Sequence, residues 1–307
     1  MKTYTLSEEK MNKFFKNFKN LDSFDWDKSI KSLFTTENYD KLFKEYEKIS
    51  IKPFYHNNQL AKNIDFPNEI FNLQKIDATN AKIANKKALT ALSTGIDGLC
   101  FSNPNNLKVL LKDIKTDYIK TVFINVNDSF IDELNKYKEL DKISGAISSD
   151  SKINSNKIKE IVFVKGKNIK EQINYALSEG LKNENIVEFH FKINRNFFFE
   201  IAKLRAFRIL WNEKKGYNPF IYVSISKKDK KSGLNNIFKS TTEITSAILG
   251  GANAIFSQAH NFDYEASDDF SDRISRNQFN ILLEESYLNK VKDPSKGSYY
   301  IEYLTSE

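Results

Sequence analysis

From residue 69 onward the sequence switches between two periodicities, and it does so repeatedly to the end of the chain. Short apolar runs at 70–73, 98–101, 119–126, 143–147, 158–164, 186–193, 220–225 and 252–256 predict strands. Amphipathic stretches at 80–93, 105–114, 129–140, 169–181, 196–213, 241–249 and 270–286 predict helices between and after them. Strict alternation of strand and helix implies parallel strands joined by right-handed crossovers. Eight such units suffice to close a sheet on itself, so the expected fold class is α/β, a (β/α)8 TIM barrel over 61–307. An open, doubly wound sheet is the alternative. One unit is short: about ten residues separate the fourth and fifth strands, near the lower limit for a crossover, and predict a turn in place of a helix.

Upstream the pattern is different. Phe14, Phe15 and Phe18 share one helical face, and Leu33, Leu42 and Phe43 continue the apolar pattern with Lys and Glu between them. Lys52-Pro53-Phe54-Tyr55 ends this segment, because proline restricts the residue before it. Residues 1–60 are therefore expected to form an N-terminal helical arm outside the barrel, covering it or gripping a partner.

Composition narrows the function classes. An apolar fraction of 40% with 25 Phe can fill a sizeable core, and no apolar run reaches membrane-spanning length, so no membrane partner is expected. The net charge of +7 comes mostly from lysines dispersed among acids. A nucleic-acid binder would show a basic stripe with stacking aromatics. The dense cluster Lys227-Lys228-Asp229-Lys230-Lys231 is expected to be a solvated loop, and no nucleic-acid partner is expected. The single cysteine, Cys100, excludes an intramolecular disulfide and a multi-thiolate metal site, and its apolar neighbours predict a buried structural thiol. The N-terminus lacks the apolar core of a secretory signal, so a cytoplasmic location is expected.

Four blocks near the C-terminus carry a resemblance. The first is Asn196-Phe197-Phe198-Phe199-Glu200-Ile201-Ala202-Lys203-Leu204-Arg205-Ala206, with Arg208 and Leu210-Trp211. The second is Thr242-Glu243 with Leu249-Gly250-Gly251-Ala252. The third is Phe270-Ser271-Asp272-Arg273-Ile274-Ser275-Arg276-Asn277-Gln278, then Glu284-Glu285-Ser286. The last is Asp293-Pro294, Gly297-Ser298-Tyr299-Tyr300-Ile301-Glu302 and Leu304-Thr305. In order and spacing they resemble the barrel of the methylmalonyl-CoA mutases. Ile51-Lys52-Pro53-Phe54-Tyr55, Ala84-Asn85, Ala88-Leu89 and Gly95 resemble the small, non-catalytic subunit of the heterodimeric members. The same residues also have a structural reading. Phe197, Ile201, Leu204 and Leu210 repeat at helical spacing, and Gly250-Gly251 suits a helix end needing left-handed backbone. Asp272, Arg273 and Arg276 suit charge pairing within a helix.

The resemblance implies a radical rearrangement between methylmalonyl-CoA and succinyl-CoA, carried by adenosylcobalamin. It also implies an Asp-x-His-x-x-Gly motif that ligates cobalt, and the sequence contains none. Where catalytic relatives have Gly-Tyr-His after the fifth strand, this chain has Val164-Lys165-Gly166-Lys167-Asn168. Where they have a Thr-His-Ser-Gln-like segment after the seventh, it has Ser224-Ile225-Ser226-Lys227-Lys228. A histidine-bearing segment after the eighth strand is replaced by Phe256-Ser257-Gln258, and the N-terminal Arg-Gln-Tyr-Ala-Gly-Phe-like segment is missing. In a barrel these strand ends are where chemistry resides. Cofactor-binding, catalytic and metal-ligating residues are therefore expected to be none in this chain, with no cobalamin-binding domain and adenosylcobalamin in a large partner subunit.

The remaining polar candidates are few. His190, in Phe189-His190-Phe191, reads as a core or inward-facing histidine. His260 stands near Asp263 and Glu265, a grouping that a surface loop produces freely. His56 follows a proline turn and is expected in solvent, and Glu284 and Glu285 point to different faces of a helix. The sequence thus favours a non-catalytic small subunit of a heterodimeric mutase. The alternative is an autonomous barrel enzyme using His190 and His260, or a scaffold binding another acyl-CoA.

Overall fold

The computed structural model describes residues 21–56, 63–148, 153, 155, 157–183, 185–226, 229–265 and 267–307. Phe14, Phe15, Phe18, Lys227, Lys228 and most of the short crossover after the fourth strand lie outside the described residues. The chain divides into two compact units, Met1–Leu60 and Ala61–Glu307.

In the first unit, helix α1 (Ser23–Leu33) starts at a capping box in which Asp22 accepts from the amides of Phe24 and Asp25. A short helix, α2 (Thr36–Asp40), follows. Beyond it the expected helix is replaced by an antiparallel hairpin, β1 (Lys44–Tyr46) and β2 (Ile49–Ile51). Its two-residue loop, Glu47-Lys48, has φ of 51° and 64°, the mirror-turn conformation that matches strand twist. Asn-Gly is the usual signal for such a loop, and Glu-Lys gives none.

The second unit is a closed barrel of eight parallel strands. These are β3 (Phe71–Asp77), β4 (Gly98–Ser102), β5 (Lys120–Ile124), β6 (Gly145–Ile147), β7 (Ile158–Phe163), β8 (Val187–Lys192), β9 (Ile221–Ser224) and β10 (Ala254–Ser257). Their order around the barrel is sequential, and β10 closes on β3 with Ala254 opposite Phe71. Gly145 permits the tight approach of β6 to β5, since a Cβ there would lie 1.8 Å from the Thr121 carbonyl oxygen.

Outside run α3 (Ala81–Leu92), α4 (Leu107–Leu110), α5 (Asp128–Asn135), α6 (Ile169–Lys182), α7 (Phe197–Lys215), α8 (Asn235–Gly250), α9 (Asp269–Asn280) and α10 (Tyr299–Ser306). Several start on asparagine caps: Asn80, Asn127 and Asn168 accept from Ile83, Phe130 and Glu171 amides at 3.1, 2.9 and 2.9 Å. The helix expected at 105–114 shrinks to α4, because the backbone takes positive φ at Asn106 and again at Asp113. The expected 270–286 helix continues past α9 as a π-turn, Ile281–Glu285. At the end of α8, Gly251 adopts φ 87°, the left-handed cap its sequence predicts.

Candidate functional site

Strand alternation sends one set of residues into the barrel and the other toward the helices. On β8 the outward set is explicit: Phe189 and Phe191 pack on Phe207 at 4.8 and 4.9 Å, and Phe189 on Trp211 at 4.6 Å. Glu188, His190 and Lys192 therefore face the axis. The interior apolar cluster includes Leu73, Cys100, Val122, Ile161, Tyr222 and Phe256, so the axis is filled by side chains. Cys100 is fully buried, and burial pushes its thiol up to about 12, well outside the reactive range.

The N-terminal end of the axis is closed by polar and aromatic groups together. Phe71 stacks on Phe220 at 6.4 Å, and the Lys120 ammonium lies over both rings at 6.0 and 5.4 Å. Above them the Tyr222 hydroxyl donates to Glu188 Oε2 at 2.7 Å. Burial raises the Glu188 carboxyl above its usual range, opposed by the Tyr222 hydrogen bond and by Lys120 and Lys159.

Toward the C-terminal end, His190 sits between aromatic rings, 4.6 Å from Phe163 and 5.4 Å from Phe256, the latter almost parallel at 15°. Its Nε2 is buried without a hydrogen-bond partner, while the residue as a whole keeps partial access. Burial lowers its pKa to about 3, assisted by the nearby ammoniums of Lys75 and Lys192, so the ring is neutral at ordinary pH. The inward-facing histidine read from sequence is thus observed.

The other candidates do not converge on it. His260 is fixed through its backbone carbonyl, which accepts from Asn236 Nδ2 at 3.2 Å and from the Tyr264 hydroxyl at 3.4 Å. Its Nδ1 is buried without a partner. Asp263 accepts from Gln258 Nε2 at 3.2 Å, and Glu265 is exposed. His56, expected in solvent, is instead partly buried, with its ring 6.2 Å from that of Phe54. Glu284 and Glu285 are both exposed on the π-turn. No group of three or more His, Cys, Asp or Glu able to hold a metal occurs among the described residues. A corrinoid cobalt needs an accessible imidazole, and the Nε2 of His190, walled in by Phe163 and Phe256, does not fit that task.

The blocks that carried the resemblance build a polar lattice behind the barrel. Arg205, on α7, pairs with Asp293, and its Nη2 donates to Glu302 Oε1 at 2.8 Å. Lys203 pairs with Glu200 and donates to the Lys192 carbonyl at 2.9 Å. Arg208 Nε donates to the Gly251 carbonyl at 2.7 Å, just past the end of α8, where the helix dipole favours a cation. Glu243 accepts from the Ser226 amide at 3.0 Å and so holds the loop after β9. All of these side chains are at least nine-tenths buried.

What sequence reading missed is the pair Lys75 and Lys192, together with the Glu188–Tyr222 bond. The signal was the spacing of Glu188, His190 and Lys192 on one strand face, which becomes legible once the inward face is known.

Residues 155–307 match the family described as methylmalonyl-CoA mutase. Among curated relatives, the chain is 30% identical to the methylmalonyl-CoA mutase small subunit of Porphyromonas gingivalis, covering 74% of this chain and 48% of that one. It is 36% identical to the methylmalonyl-CoA mutase of Rhizobium meliloti over 45% of this chain and 21% of that one. It is 35% identical to the methylmalonyl-CoA mutase small subunit of Streptomyces virginiae over 39% of this chain and 21% of that one. The chain thus spans about half the length of the first of these relatives and about a fifth of the others.

Proposed function

This chain belongs to the methylmalonyl-CoA mutase family, and we propose that within it the chain is a non-catalytic small subunit, paired with a large adenosylcobalamin-dependent mutase subunit. The observation that carries this reading is the barrel axis itself. Its interior is occupied by Phe71, Phe220, Tyr222, Phe256 and His190, whose Nε2 is buried without a hydrogen-bond partner. The strand ends read Val164-Lys165-Gly166, Ser224-Ile225-Ser226 and Ser257-Gln258, without the tyrosine and histidines that the resemblance requires for catalysis. A chain kept for packing retains its fold-determining contacts while its strand-end loops drift.

In the complex, adenosylcobalamin held by the partner supplies the radical chemistry between methylmalonyl-CoA and succinyl-CoA. This chain's residues supply a rigid body and a surface. The first unit exposes Leu21, Phe24, Leu33 and Phe34, apolar area of the kind a subunit interface covers. No helix among the described residues is long and apolar enough to cross a membrane, so that apolar area is not a membrane-spanning helix.

The test is molar mass by light scattering, for the chain alone and mixed with the cobalamin-dependent large subunit of the same organism. The expected result is a one-to-one complex, with isomerase activity only in samples containing the large subunit. A chain that stays separate from that subunit at micromolar concentration, or that isomerises methylmalonyl-CoA alone, overturns the proposal.

A further inference from the structure

At the N-terminal end of the barrel, where segment 66–70 leads into β3, two adjoining hollows differ in charge. The larger, of about 550 Å3, is lined by Glu69, Asp97 and Glu284 and by no lysine or arginine. The smaller, of about 170 Å3, has Lys290 and Lys292 among its lining residues and no Asp or Glu. The two share Asn68, Ile70 and Asn289. Opposite charge on neighbouring walls gives each hollow its own sign of ligand, and the smaller one suits an anion.

The smaller hollow is also apolar inside. Phe66 and Ile248 are buried at its floor, and Ile70 and Leu288 are half-buried walls. Val291 and Pro294 stand exposed at its rim beside the two lysines, which are exposed as well. Bonds elsewhere in the chain hold that rim in place. The Leu288 amide donates to the Leu282 carbonyl at 3.2 Å, and the Lys290 amide to the Tyr287 carbonyl at 3.1 Å. Asp293, next to Lys292, pairs with Arg205, and Ser295 Oγ donates to the Leu249 carbonyl at 3.4 Å. A socket fixed in advance loses little entropy when it is filled.

We propose that this socket binds a small amphiphilic carboxylate, with its apolar tail among Phe66, Ile70, Ile248 and Leu288 and its charged group at Lys290 and Lys292. A water-sized group takes roughly 30 Å3, so a cavity of about 170 Å3 holds a tail of about five or six carbons. Burial of that tail supplies affinity, and the ammoniums select an acid over an alcohol of the same length. This inference concerns residues of this chain alone and stands independently of the small-subunit reading.

The test follows the backbone amides of the full chain by proton–nitrogen NMR during titration with hexanoate at pH 8, ionic strength being held constant with potassium chloride. The expected result is saturable shifts in segments 66–70 and 288–293. Hexan-1-ol is expected to bind about ten-fold or more weakly, the loss of one charge-assisted contact. The double variant Lys290→Met with Lys292→Met, at two exposed positions, is expected to weaken hexanoate likewise. Leu288→Trp fills the socket and is expected to abolish saturation. If that variant fails to fold, the lysine variant and the alcohol still carry the test. Lys182→Met, which removes an ammonium paired with Glu179 on the outer surface, is the control and leaves binding unchanged. Shifts that do not saturate or that centre elsewhere overturn the proposal, as does binding indifferent to the carboxylate or to the two lysines.

Discussion

The barrel is built from two halves that cohere by different means. From β3 to β7 the space between strands and helices is an apolar cluster, with Leu99, Phe101, Leu107, Phe123, Phe130 and Leu134 fully buried. From β8 to α10 the same layer is laced with charge. Every buried charged side chain among the described residues is Glu188 or later, and Glu200, Lys203, Arg205, Arg208, Glu243, Asp293 and Glu302 are among them. The family match begins at residue 155, so it takes in the charged half and only the last strand of the apolar one. Apolar packing tolerates exchange among residues of similar volume, whereas a buried guanidinium tolerates few partners. The contrast teaches that recognisability here follows the cost of substitution, and the costly residues are those whose buried pairings hold the fold.

Three substitutions break or sharpen that contrast. The largest effect is expected for Arg205→Ala, which leaves Asp293 and Glu302 buried without their cation and costs about 3–5 kcal/mol. Urea unfolding followed by Trp211 fluorescence reads it, and a loss below about 1 kcal/mol would show the charged half to be held by apolar contacts after all. Leu99→Met, in the apolar half, conserves volume and is expected to cost less than about 1.5 kcal/mol by the same measurement. A loss as large as that of Arg205→Ala would erase the distinction.

The smallest effect is expected to be a gain, from Glu188→Gln. The raised carboxyl binds its proton more tightly in the folded than in the unfolded chain. Its contribution is therefore fully present below the ordinary carboxylate pKa and is lost as pH rises through the higher folded value. Glutamine keeps an acceptor for the Tyr222 hydroxyl and has no proton to lose, so the variant should be the more stable form above that folded pKa. Denaturation midpoints compared across pH 4–8 should diverge in its favour, and parallel curves would refute the burial argument.

The alternation of periods made the barrel legible, because eight strand patterns in series leave few ways to arrange parallel edges. Local chemistry was harder to see. The hairpin of the first unit escaped because Glu47 and Lys48 are poor markers of positive φ, and α4 was overread because apolar spacing does not reveal where Asn106 and Asp113 turn the backbone. The closing helix α10 was visible as a block of resemblance, yet its physical role depends on Glu302 meeting Arg205 across 97 residues. Lys75 and Lys192 lie 117 positions apart in the chain, and only closure of the barrel sets β3 and β8 around one axis. One-dimensional patterns record which face a residue takes, and they are silent on what stands across the axis.

The pairing of Arg205 with Asp293 and Glu302 also has a history in time. Synthesis delivers the chain from one end at ~5–20 residues per second. The guanidinium must therefore wait while 88 further residues are made before Asp293 exists, roughly 4–18 s at that rate. Throughout that interval α7 carries a cation whose carboxylate partners have not yet been made. Residues Asp293 and Glu302 thus act as a latch, and their arrival becomes the event that lets α7 leave water.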